Sequence, residues 1–326
     1  MAEPVSLKDG GRLLLRRLGR VENIGVICIM LAFIIVVLVL SGPRFFTSGN
    51  LINLFRSVSV TGIVASALTL VMIAGNIDLS VGWLVGLGAC ITGVYSDRAF
   101  LAIFFVLTAC ALCGTLNGIL VGLIRLNPFI TTLGTMYFFK GVTMMYSNGR
   151  QLTTENPSDV LKAIGAGNIA GIPIPIWIFA TVAAVFAFIL KKTVFGTRIY
   201  AVGANALAAR FSGISAVKIV LSAYVLAGLA AGIAGIVLFT KVMSTQPYSG
   251  VGLEFDALTA IVLGGVSISG GKGNVIGTIL GVLFVGILAN GFTLIGLGSN
   301  AQYIVQGIIL LIAMRADILK SEGKTA

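Results

Sequence analysis

Apolar runs of membrane-crossing length recur from one end of this chain to the other, and they decide its class before any motif is read. Ile27–Leu40 contains no charged or amide side chain. An α-helix needs roughly 20 apolar residues to cross a hydrocarbon core of about 30 Å. Ten segments reach or approach that length: 24–42, 57–75, 79–95, 99–123, 128–147, 172–190, 216–240, 256–270, 274–298 and 300–316. The segments 256–270 and 300–316 are short or broken by glycine. A transmembrane β-barrel would alternate apolar and polar residues over about 10 positions, and these runs do not. The expected fold is an all-α polytopic membrane protein with about ten transmembrane helices. Composition agrees: 57% of the 326 residues are hydrophobic and 10% are charged. A soluble domain carries about 25% charged residues, so one or two soluble domains are excluded. The chain has no histidine, which removes histidine general bases, Ser-His triads and His-ligated metals together.

The net charge of +11 is a question of sidedness. Arg16, Arg17 and Arg20 precede the first apolar run as in a signal peptide. The run is longer than an h-region and no A-x-A cleavage site follows, so it reads as a retained first span. With the N-terminus inside, fifteen Lys and Arg fall on cytoplasmic segments and six on outer ones. Positive charge favours the inner side, so both termini are expected to be cytoplasmic. The expected divisions are a cytoplasmic segment 1–23, a transmembrane domain 24–316 and a cytoplasmic tail 317–326.

Two loops are long. The outer one, 148–171, carries Pro157, Gly165, Gly167 and Gly171 and could fold over an outer mouth. The inner one, 191–215, has the cations Lys191, Lys192, Arg198 and Arg210, with Lys218 just beyond, and no acid. Asn205 is a good N-cap for a short alanine-rich helix, and Gly213 is a natural stop. On spacing alone this is either a contact helix or an ordinary interfacial one.

Glycines stand at small-xxx-small spacing at Gly82/Gly86, Gly114/Gly118/Gly122, Gly228/Gly232 and Gly273/Gly277/Gly281. Such faces let helix backbones approach closely in lipid. Residues 67–84 and 257–274 share Ala-Leu-Thr with a glycine eight residues after the alanine, Gly75 and Gly265. Both pass from an apolar run into a polar break, as interrupted transporter helices do. Asp78 lies in such a break, either lining a functional path or capping the third helix at the interface. Asn117, Asn127 and Asn290 could line a polar path or bond across helices. Lys140 lies twelve residues after Pro128, about 18 Å along a helix. It either snorkels to the outer interface or faces a water-filled cavity. Cys110 and Cys113 form a C-x-x-C inside an apolar run, without the second pair or histidine that a metal or redox motif needs. Val266 and Gly273 stand where a phosphate loop would need Gly and Ser or Thr, so a nucleotide site is not expected.

Four motifs appear in order: Asn76-Ile77-Asp78-Leu79-Ser80-Val81-Gly82; Asn127-Pro128-Phe129-Ile130-Thr131-Thr132-Leu133-Gly134-Thr135; Gly203-x-Asn205-x-x-Ala208-Ala209-x-x-Ser212-Gly213; and Leu263 to Gly273. Together, over residues 45–315, they resemble the permease subunits of bacterial ribose-type ABC importers. The resemblance implies a bacterial inner-membrane, multi-pass subunit that binds no cofactor and performs no catalysis. It would pair with an identical or homologous permease around a central sugar pathway. Separate cytoplasmic ATPases would carry ATP and Mg, and a periplasmic sugar-binding protein would dock above. Gly203, Asn205, Ala208, Ala209, Ser212 and Gly213 would then contact the ATPase. Asn76, Asp78, Ser80, Asn117, Asn127, Phe129, Lys140 and Asn290 would line or gate the pathway. The chain departs from the family pattern at Asn76, Lys140 and Leu207. Membrane lipid is the surrounding partner, and nucleic acid is not one. The competing readings are a branched-chain amino-acid or nucleoside permease, an ion-coupled secondary transporter and a membrane enzyme.

Overall fold

The computed structural model describes residues 24–322. Among them are thirteen α-helices: α1 (Ile24–Ser41), α2 (Ser48–Ile73), α3 (Val81–Val94), α4 (Ala99–Gly118, continued by a π-helical turn Ile119–Leu123), α5 (Pro128–Ser147), α6 (Asp159–Ala166), α7 (Ile174–Lys192), α8 (Val194–Ala204), α9 (Ala206–Phe211), α10 (Ala216–Val242), α11 (Leu253–Leu263), α12 (Val275–Leu294) and α13 (Ser299–Glu322). Four two-residue strands form two antiparallel pairs, Leu152–Thr153 with Ser244–Thr245 and Asn168–Ile169 with Ile172–Pro173. They are loop staples in a helical protein. Among the described residues, five helices are long and apolar enough to cross a membrane: α2, α4 with its π turn, α7, α10 and α12. The cytoplasmic segment expected at 1–23 lies outside the described residues. At the other terminus α13 continues as helix to Glu322, past the boundary expected at 316.

Helices α2 and α10 form the interior. From Val58 to Ile73, α2 is buried almost all round, the pattern of a helix enclosed by others. Glycine seams set the spacing between α10 and α4. Gly114 sits against the carbonyl of Tyr224, Gly118 against Leu221 and Gly228 against the carbonyl of Cys110, each where a Cβ would collide. Removing side chains at these points lets the backbones touch, which is how helices gain packing in lipid. At the far end of α10, helix α6 brings Gly165 against the Thr240 carbonyl, and the amide of Ser158 donates to the Ser96 carbonyl (2.8 Å). The 148–171 segment therefore folds over that end of the bundle, here called the α6 end. The opposite end carries α9.

Both expected helix breaks are present, and they are alike. At the end of α2, Gly75 N donates to Met72 O (2.9 Å) and Asn76 N to Val71 O (3.0 Å). At the end of α11, Gly265 N donates to Val262 O (3.0 Å) and Val266 N to Ile261 O (3.2 Å). Each is a Schellman closure, which needs a left-handed residue. Gly75 and Gly265 supply it, at φ of 82° and 84°.

The run 256–270, expected as a spanning helix, is corrected by the structure. Helix α11 has 11 residues and so is about 16 Å long, roughly half a membrane. The chain ahead of it, 246–252, is not helical and lies along α3. Gly86 faces the Pro247 carbonyl, and Gly82 faces the Gly250 carbonyl and the Glu254 carboxylate. The Gly82/Gly86 pair therefore receives a non-helical strap instead of a helix. Backbone of this kind is tolerated at membrane depth only when protein encloses it, and the missing side chains on α3 make that enclosure.

Candidate functional site

The break between α2 and α3 places its polar groups deep inside the bundle. Asp78 is 1% exposed. Its Oδ1 accepts from the Ser80 amide (2.9 Å) and the Ser80 hydroxyl (2.6 Å). Asn117 of α4 donates Nδ2 to Ser80 Oγ (2.8 Å). The neighbouring Ile77 carbonyl accepts from the hydroxyl of Tyr224 on α10 (2.9 Å) and from that of Thr132 on α5 (3.5 Å). Three helices thus hold one loop. Asn117 lies six residues before the end of the α4 π turn and Tyr224 eight residues into α10. At 1.5 Å per residue the loop sits about 9–12 Å inside the helix ends. The alternative of an interfacial cap is accordingly revised. Asp78 does order the start of α3, through Ser80, but from within the protein.

The other sequence-derived residues are spread through the fold. Asn76 is half-buried and donates to the Ala74 carbonyl (3.1 Å). Asn127 caps α5 by accepting from the Ile130 amide (3.3 Å), with Pro128 in the first turn and Phe129 exposed beside it. Lys140 is exposed midway along α5. Its Nζ stands 5.7 Å from the ring centroid of Trp83 and 5.9 Å from that of Tyr137. Trp83 lies in the first turn of α3, eleven residues before Val94, so the ammonium is about 16 Å along that helix from the α6 end. It rests on aromatic faces, a cation–π contact, instead of snorkelling outward. Asn290 pairs reciprocally with Asn50, Nδ2 to Oδ1 at 3.0 and 2.8 Å. This amide clamp joins α12 to the first turn of α2.

At the opposite end, α8, α9 and the start of α10 form a short arm. Asn205 ends α8 and starts α9, accepting from Leu207 N (3.0 Å) and Ala208 N (2.9 Å). The Ile214 amide closes onto the Ala209 carbonyl (2.9 Å), with Gly213 at φ 78°. Ala208, Ser212 and Gly213 are exposed, whereas Ala209 is buried and anchors the arm. Gly203, expected in the ATPase contact, is instead half-buried and packed inward against Ile73 and Gly271, behind the exposed residues of the arm. The outward face carries Leu207 and Phe211, 64% and 84% exposed. Sequence reasoning noted Leu207 only as a departure from the family pattern and passed over Phe211, although their i,i+4 spacing opposite the buried Ala209 marks them as a pair. It also missed Tyr224, Thr132 and Glu254, whose signals were single polar residues within apolar runs.

A helical bundle with membrane-length apolar helices, two glycine-closed helix breaks and an exposed arm is the architecture whose family the comparisons supply. Residues 50–314 match the family described as branched-chain amino acid transport system / permease component, and the chain belongs to that family. Its curated relatives include the ribose import permease protein RbsC of Haemophilus influenzae, 39% identical over 89% of this chain and 91% of the relative. RbsC of Escherichia coli K12 is 39% identical over 88% of this chain and 92% of its own length. The L-arabinose transport system permease protein AraH of Escherichia coli K12 is 33% identical over 86% of each. No solved structure matches the chain. The chain is therefore a multi-pass membrane permease subunit and not itself a catalyst.

Proposed function

We propose that this chain is the permease subunit of an ATP-driven importer of monosaccharides, pentoses above all, in a bacterial inner membrane. The observation that carries the reading is the likeness to ribose import permeases over about nine tenths of both chains. The family description mentions branched-chain amino acids, but the relatives named above are ribose and L-arabinose permeases. The chain makes ten passes with both termini cytoplasmic, the eighth being the 246–252 strap followed by α11. Two permeases, identical or homologous, enclose the pathway. ATP and Mg reside on a partner ATPase that docks on α9, and a periplasmic sugar-binding protein meets the α6 end.

Within this scheme α5 offers the pathway wall. Asn127, Phe129 and Lys140 are exposed along it, and Asn76 lies half-buried near its start. Asp78, Ser80 and Asn117 stand behind that wall as the support of the α2–α3 break. Asn290 with Asn50 closes the bundle at the far end. Leu207 and Phe211 present an apolar knob among Arg198, Arg210 and Lys218, which suits an apolar cleft with an acidic rim on the ATPase. Burial of the knob favours attachment, and the rim charges steer it.

The test is uptake by proteoliposomes containing the permease, its co-purified ATPase and the cognate binding protein. Radiolabelled ribose or arabinose is expected to enter only with ATP inside the ATPase compartment, and an uncoupler is expected to leave uptake intact. Uptake of leucine in place of the pentoses would overturn the substrate assignment. Collapse of uptake with the uncoupler would overturn ATP-driven transport.

A further inference from the structure

Three chain segments that are distant in sequence meet, backbone on backbone, immediately beside α9. The Gly271 amide donates to the Ile73 carbonyl at the end of α2 (2.8 Å). Gly203, on the last turn of α8, lies directly on that bond. A Cβ there would strike the Ile73 carbonyl and come within 2.7 Å of the Gly271 amide. Gly270 is pressed on Gly75, where its Cβ would fall 2.8 Å from the Gly75 Cα, and Gly271 is pressed on Ala204, where the same distance is 2.7 Å. Tyr200, one turn earlier on α8, donates its hydroxyl to the Gly273 carbonyl (2.7 Å).

The junction joins the arm to both helix breaks at once. On one side, Gly203 and Ala204 precede α9 with Asn205 alone between them, and Asn205 caps both helices. On the other side are the two Schellman closures. One opens into the loop held by Asp78, Ser80 and Asn117. The other opens into the 264–274 loop, whose Asn274 caps α12 by accepting from the Gly277 amide (2.7 Å). At Gly75, Gly203, Gly270 and Gly271 the segments meet through backbone, and none of these residues has a side chain that could absorb a displacement by changing rotamer. Close-packed backbone transmits strain where flexible side chains would dissipate it, and coupling requires a physical element that two sites both bias.

We propose that this Gly75–Gly203–Gly271 junction is the element through which movement of α9 reaches both breaks, and that Gly203 is the positioning residue at its centre. The proposal rests on the docking of the ATPase at α9. Its requirement is specific: the arm must move with the two breaks as one unit, so a wedge at Gly203 separates ATP hydrolysis from transport without detaching the ATPase.

The experiment uses the reconstituted importer and measures three quantities on the same preparation: ATPase retained per permease, ATP hydrolysed and sugar taken up. For Gly203→Ala, retention and basal hydrolysis are expected to stay near wild type. Sugar moved per ATP is expected to fall by about tenfold, within the range usual for coupling between sites. Tyr200→Phe keeps the ring and deletes the hydroxyl bond to Gly273. It is the milder variant should Gly203→Ala fail to reach the membrane, and a severalfold fall in the same ratio is expected. A wild-type ratio in a folded Gly203→Ala, or in Tyr200→Phe, overturns the proposal. So does loss of the ATPase from Gly203→Ala, which would make the residue a prop for docking alone. Failure of the docking premise is distinguishable, because the ATPase would then also remain bound to a Phe211→Glu permease.

Discussion

Phe211→Glu is expected to release the ATPase from the permease and abolish uptake while leaving the permease in the membrane. Phe211 is 84% exposed and Leu207, one turn away, 64%. Neither supports the fold, so their removal costs the monomer little. In a docked complex each would bury most of an apolar side chain, about 1.5–3 kcal/mol apiece. Truncating a central aromatic anchor commonly costs 2–4 kcal/mol or more, and the glutamate adds a charge that must be desolvated. A loss of about 4 kcal/mol lowers affinity by roughly a thousandfold. The measurement is ATPase retained during purification through a tag on the permease. Phe211→Leu, which preserves the apolar surface, is expected to retain most of it. Undiminished retention by Phe211→Glu would remove α9 from the contact.

The second large effect concerns folding. Gly228→Leu drives a branched side chain into the Cys110 carbonyl at the tightest point between α4 and α10. Overpacking a close contact typically costs 1–3 kcal/mol and occasionally more, and here the obstacle is backbone that cannot rotate away. The expected outcome is loss of monodisperse permease in detergent, with uptake lost in proportion to the missing protein. Gly134→Leu is the matched control, because a Cβ at Gly134 meets nothing within 4 Å, and it should fold normally. Normal yield of Gly228→Leu would mean that the seam is looser than described.

Much of the bundle is legible in the sequence because apolar length and helix punctuation coincide. Pro128 begins α5 and Ser147 ends it at the limits expected from the apolar run, and α10 begins at Ala216 as expected. Helix α2 extends nine residues ahead of its apolar run, to Ser48. Asn50, Asn53 and Arg56 lower the hydropathy there without breaking the helix, and Asn50 is compensated by Asn290, 240 positions away. Hydropathy failed at 256–270 for a different reason. It measures affinity for a dry interior, and the largely buried non-helical stretch after Leu263 satisfies it as well as a helix does. The α9 arm was legible from Asn205 and Gly213, but its outward face was not. Composition drew attention to the alanines, while burial of Ala209 turns Leu207 and Phe211 outward.

The strap along α3 is also the place where extension of the chain is not fixed by a helical ladder. In 246–252 the backbone bonds are short-range, Ser249 N to Gln246 O and Val251 N to Tyr248 O, so no helical ladder fixes its rise. Gly82 and Gly86 leave a smooth track beneath it. Hydrogen exchange is expected to be faster at Tyr248 and Val251 than in α10, and faster still during turnover. Equal protection would show the strap to be fixed. If the strap does yield, the ends of α10 and α11 can shift relative to each other without either helix unwinding.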